Sequence, residues 1–108
     1  MKIYISGAIT GLEEKEYRKA FSDACVYLTS TGHKYVDPSQ LGKPEHRSWH
    51  YYMKEAIPLL CKCDAIYMLE GWYKSRGAQL EHTIAKALDM PVFEESREVN
   101  LDKGGYGK

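Results

Sequence analysis

The segment 71–81, GWYKSRGAQLE, holds the residues best suited to chemistry. Ser75 and Gly77 have the composition of a helix start, where free backbone N–H groups and the helix dipole favour an anion. Glu81 follows Ser75 by six residues, in the second turn of that helix. Turned toward the mouth of the helix, its carboxylate would place a nucleophile or base beside an anion site. The same residues also make a plain helix start, with an N-cap serine, a packing glycine and a solvent-facing glutamate. The residues alone leave both readings open. Trp72 and Tyr73, beside the candidate site, suit either stacking on a base or anchoring a packed loop.

A second candidate region is the loop GAITG, Gly7, Ala8, Ile9, Thr10 and Gly11. It matches neither GxGxxG nor the P-loop, and no Lys-Ser/Thr pair follows it, which argues against a conventional dinucleotide or NTPase site. Its glycines permit positive φ and close backbone approach. Tyr4, just upstream, is either a core aromatic or a hydroxyl delivered to a crevice. His46 and His50 have the spacing of metal ligands on a helix, but neither a third ligand nor an HExxH frame accompanies them. No metal and no cofactor is therefore expected.

The elements that must position these residues follow from periodicity. Lys2–Ser6 (KIYIS) is a short β-rich run ending in Gly7. Tyr17, Ala20, Phe21, Ala24, Cys25 and Leu28 then recur at helical spacing, stopped by Ser30-Thr31-Gly32. Lys34–Val36 reads as a second strand, ended by Asp37-Pro38, and the stretch 38–48 is polar and irregular. Trp49, Tyr52, Met53, Ala56, Ile57 and Leu60 predict a helix over Trp49–Cys61, which Pro58 should kink or end early. Residues 65–69 (AIYML) form a third strand and Gly71-Trp72 a turn. A third helix carries Leu80, Ile84, Ala87 and Leu88 inward, and residues 91–93 give a last strand.

Alternating strands and helices with short connections predict a parallel sheet with right-handed crossovers. The expected fold is a single α/β three-layer domain, flavodoxin-like or Rossmann-like, with a short sheet in the order 2-1-3-4. It spans residues 1–94, and 95–108 is a polar C-terminal tail. In such sheets ligands bind outside the carboxyl ends of the strands. That edge collects the loop 7–11, Asp37, and the segment from Gly71 to Gly77. Asp64 precedes the third strand and belongs to the opposite edge.

With 15 Lys+Arg against 15 Asp+Glu, the chain lacks the basic surplus of a domain that coats nucleic acid. At 44% hydrophobic residues it can form one modest core. No run approaches a membrane span, MKIYISGAITG is not a signal peptide, and three Cys make a poor disulfide scaffold. A cytoplasmic protein is expected, with no nucleic acid polymer and no membrane as partner.

Taken in order, KIYISGAITG, Asp37-Pro38, Ser48-Trp49, CDAIYMLEGW at 63–72 and SRGAQLEHTIAKAL at 75–88 resemble the small phage and bacterial branch of the nucleoside 2-deoxyribosyltransferase-like superfamily. The resemblance runs from Met1 to about Phe93. It implies a flavodoxin-like fold and action on the N-glycosidic bond of a (deoxy)nucleoside or nucleotide, by cleavage or base exchange. It makes Glu81 the nucleophile that attacks the anomeric carbon, through an oxocarbenium-like transition state and a covalent sugar ester. Tyr4 matches a tyrosine that orients the nucleophile. Ala8, Ile9, Thr10 and Gly11 match the loop around sugar and base, and Ser75 and Gly77 match positions that hold the sugar's 5′ end. In the superfamily, a residue like Ser75, six before the nucleophile, accompanies a 5′-monophosphate, whereas an acid there accompanies a 5′-hydroxyl.

One position departs from the pattern. The family's leaving-group aspartate falls at Ala56, eight residues before Asp64, and Glu55 lies about 100° around the helix from it. Asp37 is the candidate replacement acid. The departure keeps a rival in play, a non-catalytic module that binds a nucleotide or nucleotide-like signal in the same crevice. The small size and the off-face Tyr51 also lead us to expect a homodimer or larger homo-oligomer, as family members commonly are.

Overall fold

In the computed structural model, which describes residues 1–41 and 48–95, strands β1 (Lys2–Ser6), β2 (Lys34–Val36), β3 (Ala65–Met68) and β4 (Val92–Glu94) form a parallel sheet. Its order is β2-β1-β3-β4, the flavodoxin-like arrangement expected from the alternation of elements. The two apolar runs are the central strands: residues 3–6 and 65–68 are all buried, whereas the edge strands carry exposed side chains. Parallel neighbours need long crossovers, and these are α1 (Glu14–Ser30), α2 (Trp49–Cys61) and α3 (Arg76–Ala87).

Side-chain alternation along β1 divides the core in two. Ile3 and Ile5 pack with Phe21, Ala24 and Leu28 of α1 and with Ala65 and Tyr67 of β3. Tyr4 points the other way, into a cluster with Ile66, Met68, Leu60 of α2, and Ala78 and Ala85 of α3. Alpha helix α3 therefore sits over the side of β1 that carries Tyr4 and, two residues on, Ser6. Between α1 and β4 lies a groove of about 490 Å³ walled by Tyr27, Tyr67 and Phe93, with Tyr27 stacked on Tyr67.

The helices start where the sequence indicates. Ser48 Oγ accepts a hydrogen bond from Tyr51 N (3.1 Å), and Ser75 Oγ accepts one from Ala78 N (3.2 Å). Several boundaries differ from expectation. The span of α2, Trp49–Cys61, is the predicted one, but Pro58 does not end the helix early. Pro58 and Lys54, whose carbonyl loses its partner, are both exposed, so water can serve that carbonyl, while buried Ala56 and Leu60 hold the flanking turns in place. Leu69 lies just past β3 yet still donates its N–H to Ser6 O (2.8 Å). Pro91, which has no N–H, precedes β4 and accepts from Ile66 N (3.0 Å). Residues Pro38–Leu41, expected to be irregular, form a 3-10 turn.

The inward face of α3 is also corrected. Its buried residues are Ala78, Glu81 and Ala85, whereas Leu80 and Ile84 are half-buried and Ala87 and Leu88 are exposed. Two alanines let the helix lie close to the sheet, and the stripe they define carries Glu81 in with them. His46 of the suggested metal pair and residues 96–108 of the tail lie outside the described residues. Among the described residues no helix is long and apolar enough to cross a membrane, and no three His, Cys, Asp or Glu gather as a metal site.

Candidate active site

Glu81 is only 4% exposed, and both carboxylate oxygens are held. Tyr4 Oη donates to Oε2 at 2.5 Å, and Ser6 Oγ donates to Oε1 at 2.7 Å. Both donors are fully buried and come from the α3-facing side of β1. Among the described residues no cation forms an ion pair with this carboxylate. Burial pushes its pKa up to about 7, although the hydrogen bonds from Ser6 and Tyr4 pull the other way. Burial and the adjacent carboxylate hold the Tyr4 phenol well above its ordinary range. A carboxyl group that titrates near neutrality inside a cleft can act as a nucleophile or exchange a proton.

The cleft over Glu81 has a volume of about 310 Å³ and opens at the carboxyl edge of the sheet. One wall is Gly7, Ile9 and Thr10 after β1, with Pro38 after β2. A second wall is Trp49, Tyr52 and Met53, the first turns of α2. The third is Lys74, Ser75, Arg76, Gly77 and Ala78, where α3 begins. Tyr52 Oη is fixed by donating to Pro38 O (3.2 Å), and the Arg76 guanidinium lies 3.7 Å over the Trp49 ring. The larger groove beside α1 offers a weaker case for chemistry: its acids, Asp23, Glu94 and Glu95, are exposed or half-exposed.

Two glycines shape the cleft by having no side chain. A Cβ on Gly7 would lie 2.7 Å from Leu69 Cδ1 and 2.9 Å from Leu69 Cβ, so only glycine lets β1 leave the sheet beside the end of β3. A Cβ on Gly77 would come 3.2 Å from Met53 Sδ, so α3 meets α2 closely at this point.

The structure thus brings together Tyr4, Gly7, Ile9, Thr10, Ser75, Gly77 and Glu81, and it leaves other candidates outside the cleft lining. The Asp37 carboxylate accepts from Ser39 N (2.9 Å) and Ser39 Oγ (2.6 Å), which ties it to the 3-10 turn. Trp72 stacks on His82 (ring centroids 4.3 Å apart) and packs against the α3-side core, so it anchors the loop. Gly11 and Gly71 take positive φ, 90° and 82°, as turns require. Ala8 lies in the loop without lining the cleft, and Tyr73 is exposed. Ala56 is fully buried one turn beyond Tyr52 and Met53. Among the described cleft residues, Glu81 therefore supplies the single carboxylate. Asp64 is at the far edge, as expected, accepting from Lys2 N (2.8 Å).

The sequence reading missed Ser6 and read Trp49, Tyr52 and Met53 only as core. The signal for Ser6 was its position two residues after Tyr4 in a strand, which places both hydroxyls on one face.

The architecture is similar to the solved structure of a 2-deoxyribosyltransferase from the psychrotolerant bacterium Bacillus psychrosaccharolyticus. The TM-score is 0.68 at 21% identity, covering 100% of this chain and 77% of that chain, a likeness of fold. Among curated proteins none matches. The framework that holds Glu81 under its cleft, from β1 to the end of β4, coincides with a family match over residues 1–94, and the chain belongs to the family described as Domain of unknown function (DUF4406).

Proposed function

We propose that the cleft cleaves or exchanges the N-glycosidic bond of a nucleoside or nucleoside 5′-monophosphate, with Glu81 as nucleophile. The observation that supports this most is the buried carboxylate, hydrogen-bonded through both oxygens and open to a cleft. A Glu81 oxygen attacks the anomeric carbon as the C–N bond breaks; the bond's electron pair leaves with the base nitrogen, which takes a proton from solvent. Water or a second base then attacks the sugar ester, and the carboxylate is released. Tyr4 orients the nucleophile. The deoxyribosyltransferase activity of the structural neighbour agrees with this chemistry. The test is incubation with a panel of nucleosides and their monophosphates, following free base by chromatography. Base release that disappears in Glu81→Ala supports the reading; no release from any of them sinks it.

The absence of a second carboxylate among the described cleft residues favours a slower enzyme, since general acid help is worth about 10²–10⁴-fold. It also favours the alternative of a nucleotide-binding module, for which calorimetry would show binding without base release.

The 5′-monophosphate is the proposed preferred form. Lys74 and Arg76 line the cleft on either side of Ser75. Ser75 Oγ accepts from Ala78 N, which leaves its own O–H to donate. Charge-assisted bonds from these groups should make the monophosphate bind about tenfold or more tighter than the nucleoside. In Ser75→Asp the preference should vanish, because a carboxylate would face the dianion. Equal affinities in the wild type, from paired titrations, would defeat this assignment.

A homo-oligomer is also proposed, because Val26, Tyr27, Tyr51 and Phe93 are exposed on a small domain. Light scattering at micromolar concentration should give at least twice the 12.4 kDa of one chain. A monomer would refute it.

A further inference from the structure

We propose that Ser6 is a positioning residue that fixes the plane of the Glu81 carboxylate and holds it ionised for attack. The proposal rests on the reading of Glu81 as nucleophile. Ser6 is the last residue of β1, is fully buried, and directs its hydroxyl to Oε1 while Tyr4 takes Oε2. The terminal torsion of a glutamate is broad and roughly two-fold, so a single donor leaves the carboxylate free to rock about the bond before it. A second donor on the other oxygen removes that freedom. It also leaves one lone pair of each oxygen undonated, in a fixed direction relative to the cleft.

A purely structural role fits poorly. An apolar pair of similar volume at positions 6 and 81 would join the surrounding cluster of Tyr4, Ile66, Met68, Ala78 and Ala85 without burying a carboxylate. Ser6 is instead matched to the ionised form, to which it donates at 2.7 Å. The other groups facing Glu81 do not duplicate this bond. From β1 there is Tyr4. From β3 the neighbours in the cluster, Ile66 and Met68, do not titrate. From α2 there is Tyr52, whose hydroxyl is spent on Pro38 O. At the start of α3, Lys74 and Arg76 line the cleft without pairing with the carboxylate among the described contacts. On α3 itself, the adjacent His82 stacks on Trp72.

The test is NMR titration of 13C-labelled Glu81, which needs no substrate, in the wild type, Ser6→Ala and Ser6→Cys. The pH profile of base release is recorded alongside. In Ser6→Ala the Glu81 midpoint should rise by about one to two pH units, the worth of one hydrogen bond to a charged group. The acidic limb of base release should move up by the same amount. Ser6→Cys restores the volume with a weak donor, so it should resemble Ser6→Ala. An unchanged midpoint in Ser6→Ala overturns the proposal, as does full recovery in Ser6→Cys, which would make Ser6 a space-filler. A shifted midpoint with an unmoved acidic limb also overturns the positioning role. If the wild type itself releases no base, the reaction fails separately, and the titration still decides whether Ser6 holds the carboxylate ionised.

Discussion

Replacing Glu81 by Gln should abolish base release and yet stabilise the protein above neutral pH. Loss of a covalent nucleophile is expected to cost about 10⁴-fold or more in turnover. The stability effect follows from the raised pKa, about 7 in the folded chain against an ordinary 4.5. The folded state keeps this proton where the unfolded state has lost it. The contribution of Glu81 to stability is therefore most favourable below about pH 4.5, declines as pH rises, and reaches its full cost above about pH 7. A shift of this size corresponds to about 3 kcal/mol. Gln is nearly isosteric with the protonated acid and carries no titrating proton. Its carbonyl can accept from one hydroxyl while the other hydroxyl rotates to accept from its amide. Urea unfolding should find the variant close to wild type at pH 5 and about 1–3 kcal/mol more stable at pH 8. Equal destabilisation at both pH values would show that Glu81 is stabilising the fold as an ordinary polar group.

Gly7→Ala should be the most crowded glycine-to-alanine change among the described residues. The added Cβ meets Leu69 at 2.7 Å, closer than real contacts permit. Leu69 is itself buried and bonded through its N–H to Ser6 O, so it has little room to withdraw. Overpacking of this kind costs about 1–3 kcal/mol. The damage should exceed that in activity, because the displaced end of β1 carries Ser6 and Tyr4. Removing the obstacle supplies the check. In a double-mutant cycle with Leu69→Gly, which removes both Cδ1 and the Cβ 2.9 Å away, the pair should be coupled by about 1–2 kcal/mol, the second change relieving the first. Additive losses would place the strain elsewhere.

The layer order and most element boundaries were legible because they rest on spacing. The short apolar, β-rich runs in KIYIS and AIYML and the helical recurrence from Tyr17 to Leu28 have one consistent packing solution. The orientation of α3 was not legible, because large apolar residues outweigh small ones in any periodicity argument. Leu80, Ile84 and Leu88 drew the expected inward face toward themselves, but Ala78 and Ala85 allow the closer approach and take Glu81 inward. Asp37 looked available because its place at the strand end is right. Its carboxylate is instead engaged by the following 3-10 turn, accepting from the N–H and hydroxyl of Ser39. Trp49 was legible as a core residue but not as cleft-lining, since its half-buried ring packs against the core of Ile3 and Ile5 and also lines the cleft.

The hydrogen bonds that hold Glu81 join residues 75 and 77 positions apart, and this separation has a consequence for the newly made chain. β1 is the first element of the sequence, but its α3-facing side, partly covered by Leu60 of α2, is closed only when β3 has paired with it and α3 has docked. Closing so long a loop is entropically unfavourable until those later contacts form. No partly folded species that lacks α3 can then assemble the pair of hydroxyls around the carboxylate, so binding at the proposed site would report completion of folding. A chain cut within the turn Trp72–Lys74 would keep both central strands but present Ile66 and Met68 to solvent. Such a fragment should associate through that open face rather than bind nucleotide.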